Sequence, residues 1–155
     1  MLDNKDLIPC CTGMIQREVA QRIAAGPGSK TYGILSVLIQ AWYNVEYLFT
    51  VDEDVFNPPP KVKSAVIRMT RNEVTNIGCD QILFKRVVKT VFNQRRKMLR
   101  VSLRQIFNVT KPTDGFYEQD IMTKRPEQLS ITQFVDLTNM VEEQLKIIGQ
   151  KANIS

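Results

Sequence analysis

Nine basic residues fall in one stretch of thirty: Lys85, Arg86, Lys89, Arg95, Arg96, Lys97, Arg100, Arg104 and Lys111. No Asp or Glu lies between Ile82 and Lys111. Ordinary surface helices mix signs, because opposite charges three or four positions apart stabilise each other. A block of one sign predicts a polyanion-binding surface, with Arg95, Arg96, Lys97, Arg100 and Arg104 as candidate phosphate contacts. The whole chain carries only +5, so the rest of it is net acidic and the positive charge is local.

Other chemistries are excluded by what is absent. None of the 155 residues is histidine, so no Ser-His-Asp triad, Cys-His pair or His-ligated metal is available. Cys10, Cys11 and Cys79 give an odd count without paired spacing. Neither a disulfide framework nor a metal site is expected, and a reducing cytoplasm is the expected compartment. Cys10 and Cys11 sit in an apolar run and are predicted to be buried, inert thiols. An enzyme with this composition works by positioning, by backbone polar groups, or through a cofactor's own reactivity. No stretch approaches the roughly 20 apolar residues of a membrane span, and no secretory pattern opens the chain.

Several elements must position these residues. Residues 7–16 are short and mostly apolar, predicting a strand; Arg17 to Ala25 predicts a helix with Val19, Ala20 and Ile23 inward, stopped by Gly26-Pro27-Gly28-Ser29. Tyr32 to Trp42 predicts a helix with Ile34, Leu35, Leu38, Ile39 and Trp42 on one face. Val45–Val51 and Val62–Met69 predict strands on either side of Pro58-Pro59-Pro60, where three backbone donors are missing. Tyr32, Trp42 and Tyr47 lie in apolar patterns and are expected to pack in the core. After about Asn72 strand signals disappear. Phe84, Val87, Val88 and Val91 mark one helix. A second is predicted over Arg95 to Phe107, with Leu99, Leu103, Ile106 and Phe107 inward and Arg96, Arg100 and Arg104 as a basic stripe beside them. Ser130-Ile131-Thr132-Gln133 predicts a capping box that opens a last helix through Phe134, Leu137, Val141 and Leu145. Lys151 to Ser155 is expected to fray. About three strands are marginal as a free-standing sheet. They are expected to be the far edge of a larger doubly wound sheet.

Three segments, in order, resemble the ribosomal RNA adenine dimethyltransferase family. They are Met14-Ile15-Gln16-Arg17-Glu18-Val19-Ala20-Gln21-Arg22-Ile23 with Pro27 to Val37; Val45 to Val51 running into Phe56-Asn57-Pro58-Pro59-Pro60-Lys61-Val62-Lys63-Ser64-Ala65-Val66; and Phe92-Asn93-Gln94-Arg95-Arg96-Lys97-Met98-Leu99-Arg100. The resemblance implies an α/β remnant, the last strands of a Rossmann-like methyltransferase sheet, followed by a small all-α C-terminal domain. Residues 1–72 would close the methyltransferase domain, and 73–155 would form a helical RNA-binding domain. The implied activity is transfer of methyl groups from S-adenosylmethionine to N6 of two adjacent adenines in small-subunit ribosomal RNA, free or in a pre-ribosomal particle. In the family, the Phe before the triple proline stacks on the target adenine, which assigns Phe56, Pro58 and Pro59 to the target-base pocket.

Departures from the family's pattern qualify this. The Gly-rich loop for S-adenosylmethionine and the Asn-Leu-Pro motif at the target base are not in this sequence, and Lys63 stands where the family often has Asp. The chain is therefore expected to be a truncation that is inactive alone and holds no cofactor. Self-association through an exposed sheet edge is expected of such a piece. Glu18 and Glu46 are not expected to be catalytic, since methyl transfer to an exocyclic amine needs alignment rather than a strong base. A second reading stays open, in which the chain is a non-catalytic RNA-binding or ribosome-assembly module.

Overall fold

The computed structural model describes residues 10–52, 63–72, 77–107 and 112–154. Strand β1 (Cys10–Gln16) is followed by helices α1 (Arg17–Ala24) and α2 (Ile34–Gln40), then strands β2 (Tyr43–Val51) and β3 (Ser64–Arg71). Helices α3 (Gln81–Asn93), α4 (Leu99–Ser102), α5 (Arg104–Phe107) and α6 (Ile131–Ile154) complete the order, with 3-10 turns at Phe116–Glu118, Asp120–Thr123 and Pro126–Gln128. The chain divides into two compact units, Met1–Thr75 and Asn76–Ser155.

In the first unit β3 lies between β1 and β2 and runs antiparallel to both. Side chains alternate between sheet faces along a strand, and residues opposite each other share a face. Ala65, Ile67 and Met69 of β3 are buried on one face. Helix α1 contacts all three strands and α2 contacts α1 and β2, adding Ala20, Ile23, Val37, Leu38 and Ile39 to that core. Gln40 fixes the two helices together by donating its amide N–H to the Ile23 and Ala25 carbonyls at 2.7 and 2.8 Å. The other face carries Met14, Val66 and Phe49 in register across the three strands. Met14 is 50% and Phe49 55% exposed, so this apolar row is open.

Several expectations are corrected here. Cys10 is exposed and Cys11 half-buried, not interior. Among the described residues β1 pairs only with β3, and Cys10 shares the open face with Thr70 and Asn44, so an apolar run does not translate into burial. Helix α2 is shorter than the predicted 32–42. Leu35 is 42% exposed and Ser36 takes the inward position, its hydroxyl donating to the Arg22 carbonyl and accepting the Gly33 N–H at 3.1 Å. Tyr32 and Trp42 are buried, as expected, just outside that helix. Tyr47 is only half-buried, its hydroxyl 2.6 Å from Thr50 Oγ1.

In the second unit Asp80 caps α3, accepting the Leu83 N–H at 2.9 Å, and Phe84, Val87, Val88, Val91 and Phe92 face inward. Helix α6 opens with the predicted capping box: Ser130 Oγ accepts the Gln133 N–H at 3.2 Å and Gln133 Oε1 accepts the Ser130 N–H at 2.9 Å. Phe134, Leu137 and Val141 are fully buried, and the Phe134 and Phe92 rings lie 5.7 Å apart. Rather than fraying from Lys151, α6 runs to Ile154. The single helix predicted over 95–107 is instead a turn followed by α4 and α5. Met98 is extended (φ −66°, ψ 155°), and the Leu99 N–H is donated to the Lys124 carbonyl at 2.9 Å. That tertiary bond makes Leu99 the start of a new helix. Leu99, Leu103, Ile106 and Phe107 still point inward and are buried.

Ser130→Ala removes the α6 cap and should lower stability by about 1 kcal/mol, read as a lower urea midpoint by far-UV circular dichroism. Phe134→Ala should cost more, about 3–5 kcal/mol, because it also opens a cavity. Equal midpoints for Ser130→Ala and the parent would mean that the cap does not hold this helix.

Candidate nucleic-acid interface

The basic stretch folds into the second unit as a succession of short surfaces. Arg86 and Lys89 are three positions apart on α3 and both are exposed. Arg96 and Lys97 are exposed in the turn after α3, Arg100 on α4 and Arg104 on α5. The expected stripe of Arg96, Arg100 and Arg104 therefore does not lie along one helix, although all three side chains reach solvent. None of these six cations has an acidic partner within ion-pair distance among the described residues. In the first unit Arg68 pairs with Glu46 at 3.5 Å and Lys63 with Asp52 at 4.0 Å. Glu46 is thus occupied by a cross-strand ion pair.

Arg95 differs from its neighbours. It is part-buried, its guanidinium 3.3 Å from Glu127 Oε2 and 5.8 Å from the centre of the Phe92 ring. The sequence gives no sign of this, because Glu127 is 32 positions away. Arg104 lies 5.8 Å from the centre of the Tyr117 ring, whose phenol is pushed above its ordinary pKa by burial, against the opposing pull of the Arg104 charge. An arginine over a ring face keeps its N–H edge available for an anion. Tyr117 is a second residue that sequence reasoning missed, for the same reason of distance along the chain. A shallow hollow beside it is lined by Pro112, Thr113, Asp114, Gly115, Tyr117 and Glu118. Asp114 and Glu118 make that hollow unsuited to an anion.

Phe56, Pro58 and Pro59, expected to form the target-base pocket, lie outside the described residues, as does Lys111. The β1–α1 junction offers no loop that could cradle the S-adenosylmethionine implied by the resemblance. Strand β1 passes into α1 at Gln16–Arg17 with no intervening loop, and the Arg17 N–H is already donated to the Lys63 carbonyl at 2.9 Å. Nor do the thiols form a reactive centre. Cys79 has its pKa pushed up to about 11, first by burial and then by the charges of Asp80 and Glu142, against a hydrogen bond with Thr138. No helix among the described residues is long and apolar enough to cross a membrane.

A three-stranded antiparallel sheet carrying two helices, followed by a helical unit with exposed cations, defines an α/β protein. A family model described as ribosomal RNA adenine dimethylase matches residues 8–143, and the chain belongs to that family. It is 71% identical over 147 residues to the ribosomal RNA small subunit methyltransferase A of Bacteroides fragilis, covering 95% of this chain and 53% of that protein. With the protein of the same description from Bacteroides thetaiotaomicron the identity is 68% over 153 residues, covering 99% and 56%. The chain thus spans about half the length of these relatives. A solved dimethyladenosine transferase from Plasmodium falciparum superposes with a TM-score of 0.75 at 20% identity, covering 92% of this chain and 62% of that one. The 23S rRNA methyltransferase ErmE superposes at 0.52, also at 20% identity, covering 87% and 55%. At that identity the two structures support the fold alone.

Thiol chemistry gives a direct check on this geometry. Only the thiolate attacks an alkylating agent. With its pKa near 11, Cys79 should react slowly at pH 8, and its rate should rise roughly tenfold per pH unit toward pH 10. Exposed Cys10 should be modified first. Mass spectrometry of iodoacetamide-treated protein separates the sites, and full modification of Cys79 at pH 8 within the time Cys10 needs would contradict the burial.

Proposed function

We propose that this chain is part of a cytoplasmic enzyme that transfers methyl groups from S-adenosylmethionine to N6 of two adjacent adenines in small-subunit ribosomal RNA. Residues 1–72 belong to its methyltransferase domain, with the three-stranded sheet as the edge of a larger doubly wound sheet. Residues 73–155 hold the RNA. The observation that carries this reading is the exposed cationic surface of the second unit, in a chain whose family match covers residues 8–143. Arg96, Lys97, Arg100 and Arg104 contact phosphates, which fix position without reading sequence. Double-stranded RNA is held in this way by backbone and shape.

The two halves of the proposal do different chemistry. A methyl group passes to an exocyclic amine when the amine lone pair is aligned with it, a matter of orientation and electrostatics. Phe56, with Pro58 and Pro59, serves that step as the surface on which the target adenine stacks. Such stacking is worth about 1–3 kcal/mol per base. The basic residues serve the earlier step of placing the RNA. The open row of Met14, Val66 and Phe49 and the outer edge of β1 also favour self-association of the isolated chain. Light scattering that gives a monomer mass at high concentration would rule this out.

Phosphate contacts predict a steep salt dependence, with a log–log slope of about 0.7 to 0.9 per neutralised phosphate. Changing Arg96, Lys97 and Arg100 together to Ala should weaken binding of a ribosomal RNA hairpin and flatten that slope by about two units, with little change in the thermal melt. A slope equal to the parent's would return these residues to an ordinary solvated surface.

Catalysis is tested by grafting the chain onto the portion of the B. fragilis relative that it does not match. The graft should methylate small-subunit ribosomal RNA, and Phe56→Ala within it should abolish methylation while RNA affinity holds. A graft that binds RNA but never methylates would favour a non-catalytic RNA-binding or assembly module.

A further inference from the structure

The family motif presents Arg95, Arg96 and Lys97 as three equivalent cations, and the geometry separates them. Arg96 and Lys97 are exposed. Arg95 is turned against its own unit, between the Phe92 ring on α3 and the Glu127 carboxylate in the last 3-10 turn. The same segment is tied down again four residues on, where the Leu99 N–H meets the Lys124 carbonyl at 2.9 Å. Between these two ties lie Arg96 and Lys97, with the Lys97 N–H closing the turn on the Gln94 carbonyl at 2.9 Å.

We infer that Arg95 and Glu127 are positioning residues, an ion-pair latch that holds the 94–99 turn so that Arg96, Lys97 and Arg100 present a preformed cationic surface to RNA phosphates. The inference rests on the RNA-holding role proposed above and assigns Arg95 a different task within it. A flexible turn would have to be ordered on binding, and that ordering weakens association. A guanidinium suits this place: its flat face lies over a ring while its fork meets a carboxylate, a combination that an ammonium does not reproduce.

The latch predicts an effect of opposite sign to simple electrostatics. Removing an acid close to a polyanion-binding surface ordinarily tightens binding, whereas here Glu127→Gln should weaken it. Fluorescence anisotropy with a labelled ribosomal RNA hairpin, across a salt series, reads both affinity and slope. Glu127→Gln and Arg95→Ala should each weaken binding about fivefold, the scale of one ion pair, with the parent's salt slope retained. Arg95→Lys should behave like Arg95→Ala although it keeps the charge. Without any RNA, amide hydrogen exchange at Lys97 and Leu99 should quicken in Glu127→Gln, and melts by circular dichroism confirm that each variant folds. Tighter binding by Glu127→Gln, or a slope lowered by about one phosphate in Arg95→Ala, would overturn the latch and make Arg95 a phosphate contact. So would unchanged exchange at Leu99. A parent protein that binds no RNA, yet shows the faster exchange in Glu127→Gln, would retain the latch geometry and sink its RNA role together with the proposed function.

Discussion

The hydrogen bond from the Leu99 N–H to the Lys124 carbonyl is the constraint on which the basic surface of the second unit depends. A helix continuing from α3 through residue 107 would direct an intrahelical partner to that N–H. Giving it to Lys124 ends the helical run, extends Met98 and restarts the helix at Leu99, which is fully buried with Leu103 and Met122. The apolar side of the segment is thus committed to the core. Arg96, Lys97, Arg100 and Arg104 are left facing solvent from a turn and two short helices. The break sets the segments from which the cations leave the core, while Leu99 and Leu103 remain buried.

Charge is distributed in this unit by element. The stretch from α3 to α5 carries exposed cations and no acid, while the exposed positions of α6 mix Asp136 and Glu143 with Lys146, and Arg125 is exposed between the two. A field of one sign over one part of a small unit draws in a phosphate backbone and orients it on approach. Glu127 is an acid within reach of the basic turn, and its ion pair with Arg95 commits its charge internally. In the first unit the requirement is different. Its sheet has one face closed by α1 and α2 and another on which Met14 and Phe49 stand open beside half-buried Val66, so its stability draws on a single covered face.

What the sequence made legible was local. The Ser130–Gln133 capping box depends on residues three apart, and α3 announces itself through Phe84, Val87, Val88 and Val91; both stand as expected. The inward set of Leu99, Leu103, Ile106 and Phe107 was readable because a broken helix with short segments nearly preserves the spacing of a whole one. The break itself was not readable, since its cause lies at Lys124. Arg95 facing Glu127 was hidden in the same way, and so was Tyr117 beneath Arg104. Cys10 and Leu35 were misjudged because an apolar neighbourhood in sequence says nothing about which sheet face or helix side is covered. Of the candidate site, the cations and their exposure were largely foreseeable, while the division of labour among them was not.

The central claim is that the second unit meets RNA phosphates through its basic turn and the two short helices after it. Amide chemical shifts of the labelled protein, followed while a small-subunit ribosomal RNA hairpin is added, test this residue by residue. The account predicts the largest changes at Arg96, Lys97, Arg100 and Arg104, reversed by added salt, with Asp136, Asn139 and Glu143 on α6 nearly still. Changes centred on α6, or spread evenly over the unit without response to salt, would contradict it.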